Sequence, residues 1–162
     1  MKKVIRVGVF ETNSSSSHSL SYVPGYEVLG RKERMQEVDV ILTGGQYSWG
    51  SKRVTRLKTW GEKADYFAVG TYGDPKKKQM LEDAIKMQYP NANVIFKVKW
   101  TPDAIRGNRK DWIQQSEIGD YGDDNISWID HESEHGCWNS IDSVEKLHEV
   151  LFGRSTIDMR YI

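Results

Sequence analysis

The sequence predicts an α+β fold: a single domain spanning residues 1–162, with about three helices packed on a mixed or antiparallel sheet. Three observations carry this expectation. Val4 to Phe10 sets Ile5, Val7 and Val9 on one continuous β-branched face, and Ser155 to Ile162 alternates Ile157, Met159 and Tyr161, so both ends of the chain read as strands. Between them stand two helix starts: Asp74-Pro75, where Asp can cap free amides and Pro suits the first helical position, and Asp142 with Glu145 three residues on. Strands first, helices in the middle and a last helix followed by a strand is the α+β pattern.

The intervening elements follow in order. Thr12 to Ser19 is a run of eight polar residues, rich in side chains that compete for backbone hydrogen bonds, and reads as a loop or a bent strand end. Pro24, Gly25 and Gly30 punctuate residues 20–37, which end in a charged stretch. Val38 to Leu42 reads as a strand running into the glycine-flanked turn Thr43 to Gly50. From Lys52 to about Ala68, the apolar positions Val54, Leu57, Trp60, Ala64 and Phe67 recur at helical spacing. The helix after Asp74 carries a stripe through Met80, Leu81, Ala84 and Ile85 and stops before Pro90, with Lys76 to Lys78 as a solvated first turn. Asn93 to Trp100 alternates as one strand with a wet face. Thr101 to Asp103 starts a short helix, Gly119 to Asn125 is an acidic loop, and Ile126 to Ile129 is a short strand. After Asp142, Val144, Leu147, Val150 and Leu151 form a buried stripe closed by Gly153.

Composition bounds the function classes. A chain of 162 residues hides roughly two-thirds of its unfolded surface, so neither metal nor disulfide is needed for folding on size grounds. Twenty-three Lys+Arg balance 23 Asp+Glu, and the sequence pI is near 6.9, which excludes affinity built on summed positive charge; broad nucleic-acid binding is not expected. The single cysteine, Cys137, rules out an intramolecular disulfide framework and fits a reducing, cytoplasmic compartment. The opening MKKVIRVGVF has a short apolar stretch broken by Arg6 and no small-residue cleavage site, so no signal peptide is expected; no apolar run reaches the roughly 18 residues of a membrane span. Six Trp, 8 Tyr and 4 Phe in a chain of mean hydropathy -0.66 must supply core volume or line a surface. Trp60, Trp100, Trp112 and Trp128 fall in apolar periodic runs and are expected inside. Trp49 and Trp138 lie in polar, turn-like surroundings and are the candidates for ligand contact.

Three stretches can carry chemistry. Asn13 and the four serines Ser14, Ser15, Ser16 and Ser17 put hydroxyls and backbone N–H groups in one small volume, able to nest a phosphate or carboxylate, with His18 adding a group that holds or moves a proton near pH 7. The bland alternative is a solvated loop. His131 to His135 matches H-E-x-x-H, in which two imidazoles one helical turn apart ligate zinc and Glu132 activates water. Its context is poor, because a strand precedes it, Gly136 follows it and no third ligand stands at a zincin distance. A looser metal site from Asp130, His131, His135 and Cys137 is the alternative, against a reading as a polar strand end. Cys137 next but one to His135 has the chemistry of a Cys/His nucleophile pair, although a lone free cysteine is more often simply packed.

Phe10 to Ser19 (FETNSSSSHS), Gly44 to Trp49 (GGQYSW), Lys63 to Tyr66 (KADY) and Ile129 to Ser133 (IDHES) together resemble a set found in small uncharacterised proteins of tailed bacteriophages and some bacterial genomes. The first piece is distinctive and the other three are short; together they cover residues 10 to 133. Where that group often has Gly-Glu-Phe-Gly-Trp, this chain has Gln46, Tyr47 and Ser48, and where it often has Asp-His-Gln-Ser, this chain has Glu132. The resemblance implies a phage-type accessory protein acting in the host cytoplasm and brings no activity with it. The expected function is binding of a small phosphorylated or nucleotide-like ligand. Asn13 to Ser17, Gly45, Gln46, Trp49 and Ser133 would contact it, and His18, Asp130, His131 and Glu132 would supply any catalysis. The alternatives are a metal-dependent hydrolase using His131, Glu132 and His135, and an inhibitor of a host protein acting through a surface around Trp49.

Overall fold

The computed structural model describes residues 5–11, 16–24, 38–47, 54–105, 111–129 and 136–161. Among these, three α-helices and nine strands form a mixed α+β arrangement, with the strands in three small sheets rather than one. The first sheet is antiparallel: β1 (Ile5–Glu11), β2 (Ser16–Tyr22), β9 (Thr156–Tyr161) and β5 (Val54–Leu57), in that spatial order. Its register pairs His18 with Met159, Leu20 with Ile157, and Leu57 with Ile157. These five side chains share the inward face and are buried. On the opposite face Asp158 accepts from Arg56 Nε at 2.6 Å and from Ser21 Oγ at 2.5 Å.

Two residue-level outcomes of the sequence reading belong to this sheet. Of the two readings of the serine run, loop or strand end, residues 16–19 take the strand, which continues to Tyr22, because His18, Leu20 and Tyr22 alternate with Ser17, Ser19 and Ser21, and a period of two overrides the loop preference of serine. Val54–Leu57 is a strand as well, and the helix predicted from Lys52 begins only at Trp60. Thr59 stops it there: its side chain accepts from Glu62 N, while the Glu62 carboxylate accepts from Thr59 N, a reciprocal capping box.

The other two sheets are parallel and continuous with each other along the chain. β3 (Val38–Leu42) pairs with β6 (Ala92–Phe96), and beyond a last rung from Lys97 N to Leu42 O at 2.8 Å the two chains part. β8 (Ile126–Ile129) enters the gap, flanked by β4 (Gln46–Tyr47) and β7 (Lys99–Trp100). The expected single strand over Asn93 to Trp100 is thus two, broken where β8 wedges in. Ser127 fills the fork: its hydroxyl donates to Thr43 O at 3.1 Å, and a Cβ on Gly44, at φ +73°, would collide with it.

Helices α1 (Trp60–Val69), α2 (Pro75–Gln88) and α3 (Val144–Phe152) cover the core. α2 starts as the sequence predicts, with Asp74 accepting from Lys77 N at 3.1 Å and Pro75 in the first turn. Lys78 in that turn is half-buried, paired with Glu117 at 3.1 Å and over the Phe96 ring, not simply solvated. α3 is capped one residue later than expected, by Ser143 accepting from Lys146 N. Leu81, Ala84, Ile85, Leu147, Val150 and Leu151 are fully or almost fully buried where these helices meet. No helix among the described residues is long and apolar enough to cross a membrane.

Candidate functional site

Helix α1 presents three residues of different chemistry from a single turn, Lys63, Asp65 and Tyr66, to three different parts of the chain. Lys63 Nζ donates to Val150 O at 2.6 Å, Ser155 O at 2.9 Å and Gly153 O at 3.4 Å, joining the carboxyl end of α3 to the entry of β9. Those carbonyls form the negative end of the α3 dipole and favour an ammonium there. Burial opposes it and pushes the Lys63 pKa down to about 8. Asp65 Oδ1 accepts from two successive amides, Thr43 N at 2.9 Å and Gly44 N at 3.2 Å, fixing the turn between β3 and β4. Burial raises the Asp65 carboxyl, and the same two N–H groups partly offset that.

Tyr66 is the junction of the site. Its hydroxyl is hydrogen-bonded to His18 Nδ1 at 2.9 Å and accepts from Cys137 N at 3.2 Å. Tyr47 stands edge-on to its ring at a centroid distance of 5.1 Å, and His18 at 5.7 Å. Gly136 makes this approach possible: it sits at φ +46°, and a Cβ there would overlap the Tyr66 hydroxyl. One phenol therefore gathers β2, the end of β4 and the turn at Gly136–Ser140, which itself lies against β1 and β2. Through the parallel register of Tyr47 with Ile129, the end of β8 joins the same neighbourhood.

Burial keeps the phenol and the thiol of this cluster neutral. Burial holds the Tyr66 phenol well above its usual pKa and pushes the Cys137 thiol up to about 12. Cys137 is thus a protonated, fully buried thiol at neutral pH, which removes the thiolate that a Cys/His nucleophile requires. His18 is 0% exposed, and its Nδ1 is hydrogen-bonded to the equally buried Tyr66 hydroxyl.

The positions expected to bind or react distribute as follows. His18, Gly45, Gln46 and Cys137 are described, and the Tyr66 cluster brings His18 and Cys137 together while Gly45 and Gln46 lie at the adjoining strand end. Gly45 O accepts from Trp128 N at 3.0 Å, and Gln46 Nε2 donates to Ile126 O at 3.3 Å. Ser16 and Ser17 lie in β2, opposite Tyr161 and Arg160. Asn13, Ser14, Ser15, Trp49, Asp130, His131, Glu132, Ser133 and His135 lie outside the described residues. Among the described residues no group of three His, Cys, Asp or Glu stands close enough to hold a metal ion.

The tryptophans differ from expectation. Trp138 is 3% exposed, with its indole N–H donating to Phe67 O at 2.8 Å, so it is core and not a ligand contact. Trp112 and Trp128, expected inside, are 62% and 45% exposed. Tyr66 received no role from sequence reasoning. The signal was the compact Lys63-Ala64-Asp65-Tyr66 group inside a helical stripe, where a charged pair and a phenol each need a buried partner. Comparison with family models, curated proteins and solved structures found no match.

Proposed function

We propose that the chain binds a small phosphorylated or nucleotide-like ligand at the strand ends gathered by Tyr66, as a phage-type accessory protein that intercepts or modifies a host signal. The observation that carries the reading is the shared Tyr66 hydroxyl, bonded to His18 on one side and to Cys137 on the other. Around it lie the described ends from which three polar segments depart: residues 12–15 between β1 and β2, residues 48–53 after β4, and residues 130–135 between β8 and Gly136. β4 and β8 are parallel and end in register, and open parallel sheets bind ligands outside the carboxyl ends of their strands. Rigid elements carrying polar loops are the common design of a binding site. In this reading Asn13 to Ser17 supply N–H and hydroxyl donors for an anionic group. Asp130, His131, Glu132 and Ser133 contact the remainder, and His18 acts through Tyr66 as a positioning residue.

A thermal-shift screen against nucleotides, cyclic nucleotides and sugar phosphates tests this. A ligand at one hundred times its Kd stabilises by about 2.7 kcal/mol, a rise of roughly 5–10 °C for a domain of this size. The double variant Ser14→Ala/Ser15→Ala is expected to lose most of that rise while keeping its own melting temperature. No stabilisation by any compound would remove the reading.

A further inference from the structure

The three-stranded parallel sheet has one buried face and one face that is exposed at its carboxyl end. Trp100, Ser127 and Tyr47 point inward and are buried. By register and the two-residue period, Lys99, Ile126, Trp128 and Gln46 share the other face; Ile126 is buried there against Gly119 and Lys99 is half-buried, so the exposed part of that face is Trp128 and Gln46. Lys99 is tied to Asp123 at 3.3 Å. Trp128 occupies the central strand with 45% of its surface exposed, and its register neighbour Gln46 is exposed as well. Gln46 donates its amide N–H to Ile126 O, which orients the group and leaves Oε1 as the acceptor. An exposed indole on a sheet beside an oriented amide has the two elements of base recognition, a stacking surface and an edge-reading acceptor.

We propose that Trp128 and Gln46 form the ring-binding subsite of this protein, taking the base of a free nucleotide that presents an amino group to Gln46 Oε1. This rests on the ligand reading above and specifies its class.

Calorimetric titration with adenosine monophosphate, the purine ribonucleoside monophosphate lacking the amino group, ribose 5-phosphate and an adenine oligonucleotide tests the assignment. Adenosine monophosphate is expected to bind roughly ten-fold or more tighter than ribose 5-phosphate. Trp128→Ala should abolish that margin and Trp128→Phe should keep most of it, both with unchanged melting temperature. Gln46→Leu should abolish the preference for the amino-bearing purine. Equal binding of adenosine monophosphate and ribose 5-phosphate, indifferent to Trp128→Ala, would overturn the subsite while leaving the phosphorylated-ligand reading standing. Tighter binding of the oligonucleotide, phosphate for phosphate, would overturn the free nucleotide as occupant. Binding of none of the four would overturn this subsite, and with no hit in the thermal screen the ligand reading also falls.

Discussion

At the scale of single residues, two buried ionisable groups, Cys137 and Tyr66, and the half-buried Asp65 define what the site can and cannot do. Cys137 is protonated and enclosed, so native protein at pH 8 should react with a thiol reagent only at the rate of unfolding, and denatured protein at once; prompt modification of native protein would contradict the burial. Tyr66→Phe removes one hydroxyl that serves both His18 Nδ1 and Cys137 N, and losing a partner costs such buried groups about 1–3 kcal/mol each, so a loss of roughly 2–6 kcal/mol is expected in urea unfolding. Asp65 fills with its own carboxylate a pair of successive N–H groups of the kind that bind anions. Asp65→Ala should therefore destabilise by about 1–2 kcal/mol, and added phosphate should raise the melting temperature of the variant more than that of the parent. Equal responses to phosphate would show that the turn offers no anion site. These roles were hard to read from sequence. His18 looked like an exposed proton carrier because serines surround it, although the alternation of His18, Leu20 and Tyr22 already placed it on the inward face of a strand.

At the scale of elements, local signals were legible wherever one residue decides a boundary. Asp74-Pro75 starts α2 as written, and Gly153 ends α3. The start of α1 was equally available in the Thr59-x-x-Glu62 spacing, but the apolar residues Val54 and Leu57 fell in phase with the helical stripe and drew the expected helix six residues or more too far back. Lys63 links α1 to α3 and β9, and its titration makes that link pH-dependent with a defined sign. The ordinary lysine pKa is 10.5 and the folded one about 8, so between those values the unfolded chain holds the extra proton and stability rises with pH. Below about pH 8 both states are charged and this contribution is flat. Comparing unfolding free energies of the parent and Lys63→Met from pH 7 to 10.5, the parent should gain on the order of 3 kcal/mol relative to the variant above pH 8. A difference that stays constant across that range would mean that the carbonyls of Val150, Gly153 and Ser155 hold the ammonium charged.

At the scale of the whole molecule, the mixed α+β class was legible because periodicity and caps are local, whereas the division into three sheets was not. The parting of β3–β4 from β6–β7 depends on Ser127 and Gly44 meeting across 83 residues of sequence, and no local pattern encodes that meeting. The tryptophans failed for the same reason: Trp128 lies in an apolar run and Trp138 in a polar, turn-like stretch, yet the wedge of β8 turns the first outward while the Phe67 carbonyl accepts the indole N–H of the second inside. The convergence of strand ends on Tyr66 is the central claim for function, and amide chemical-shift mapping during titration with adenosine monophosphate tests it most directly. The account predicts that the amides that shift most among the described residues are those of Ser16 to His18, Gly45 to Tyr47, Trp128 to Ile129 and Gly136 to Cys137. Shifts confined to the α2 and α3 surfaces, or none at saturating nucleotide, would contradict it.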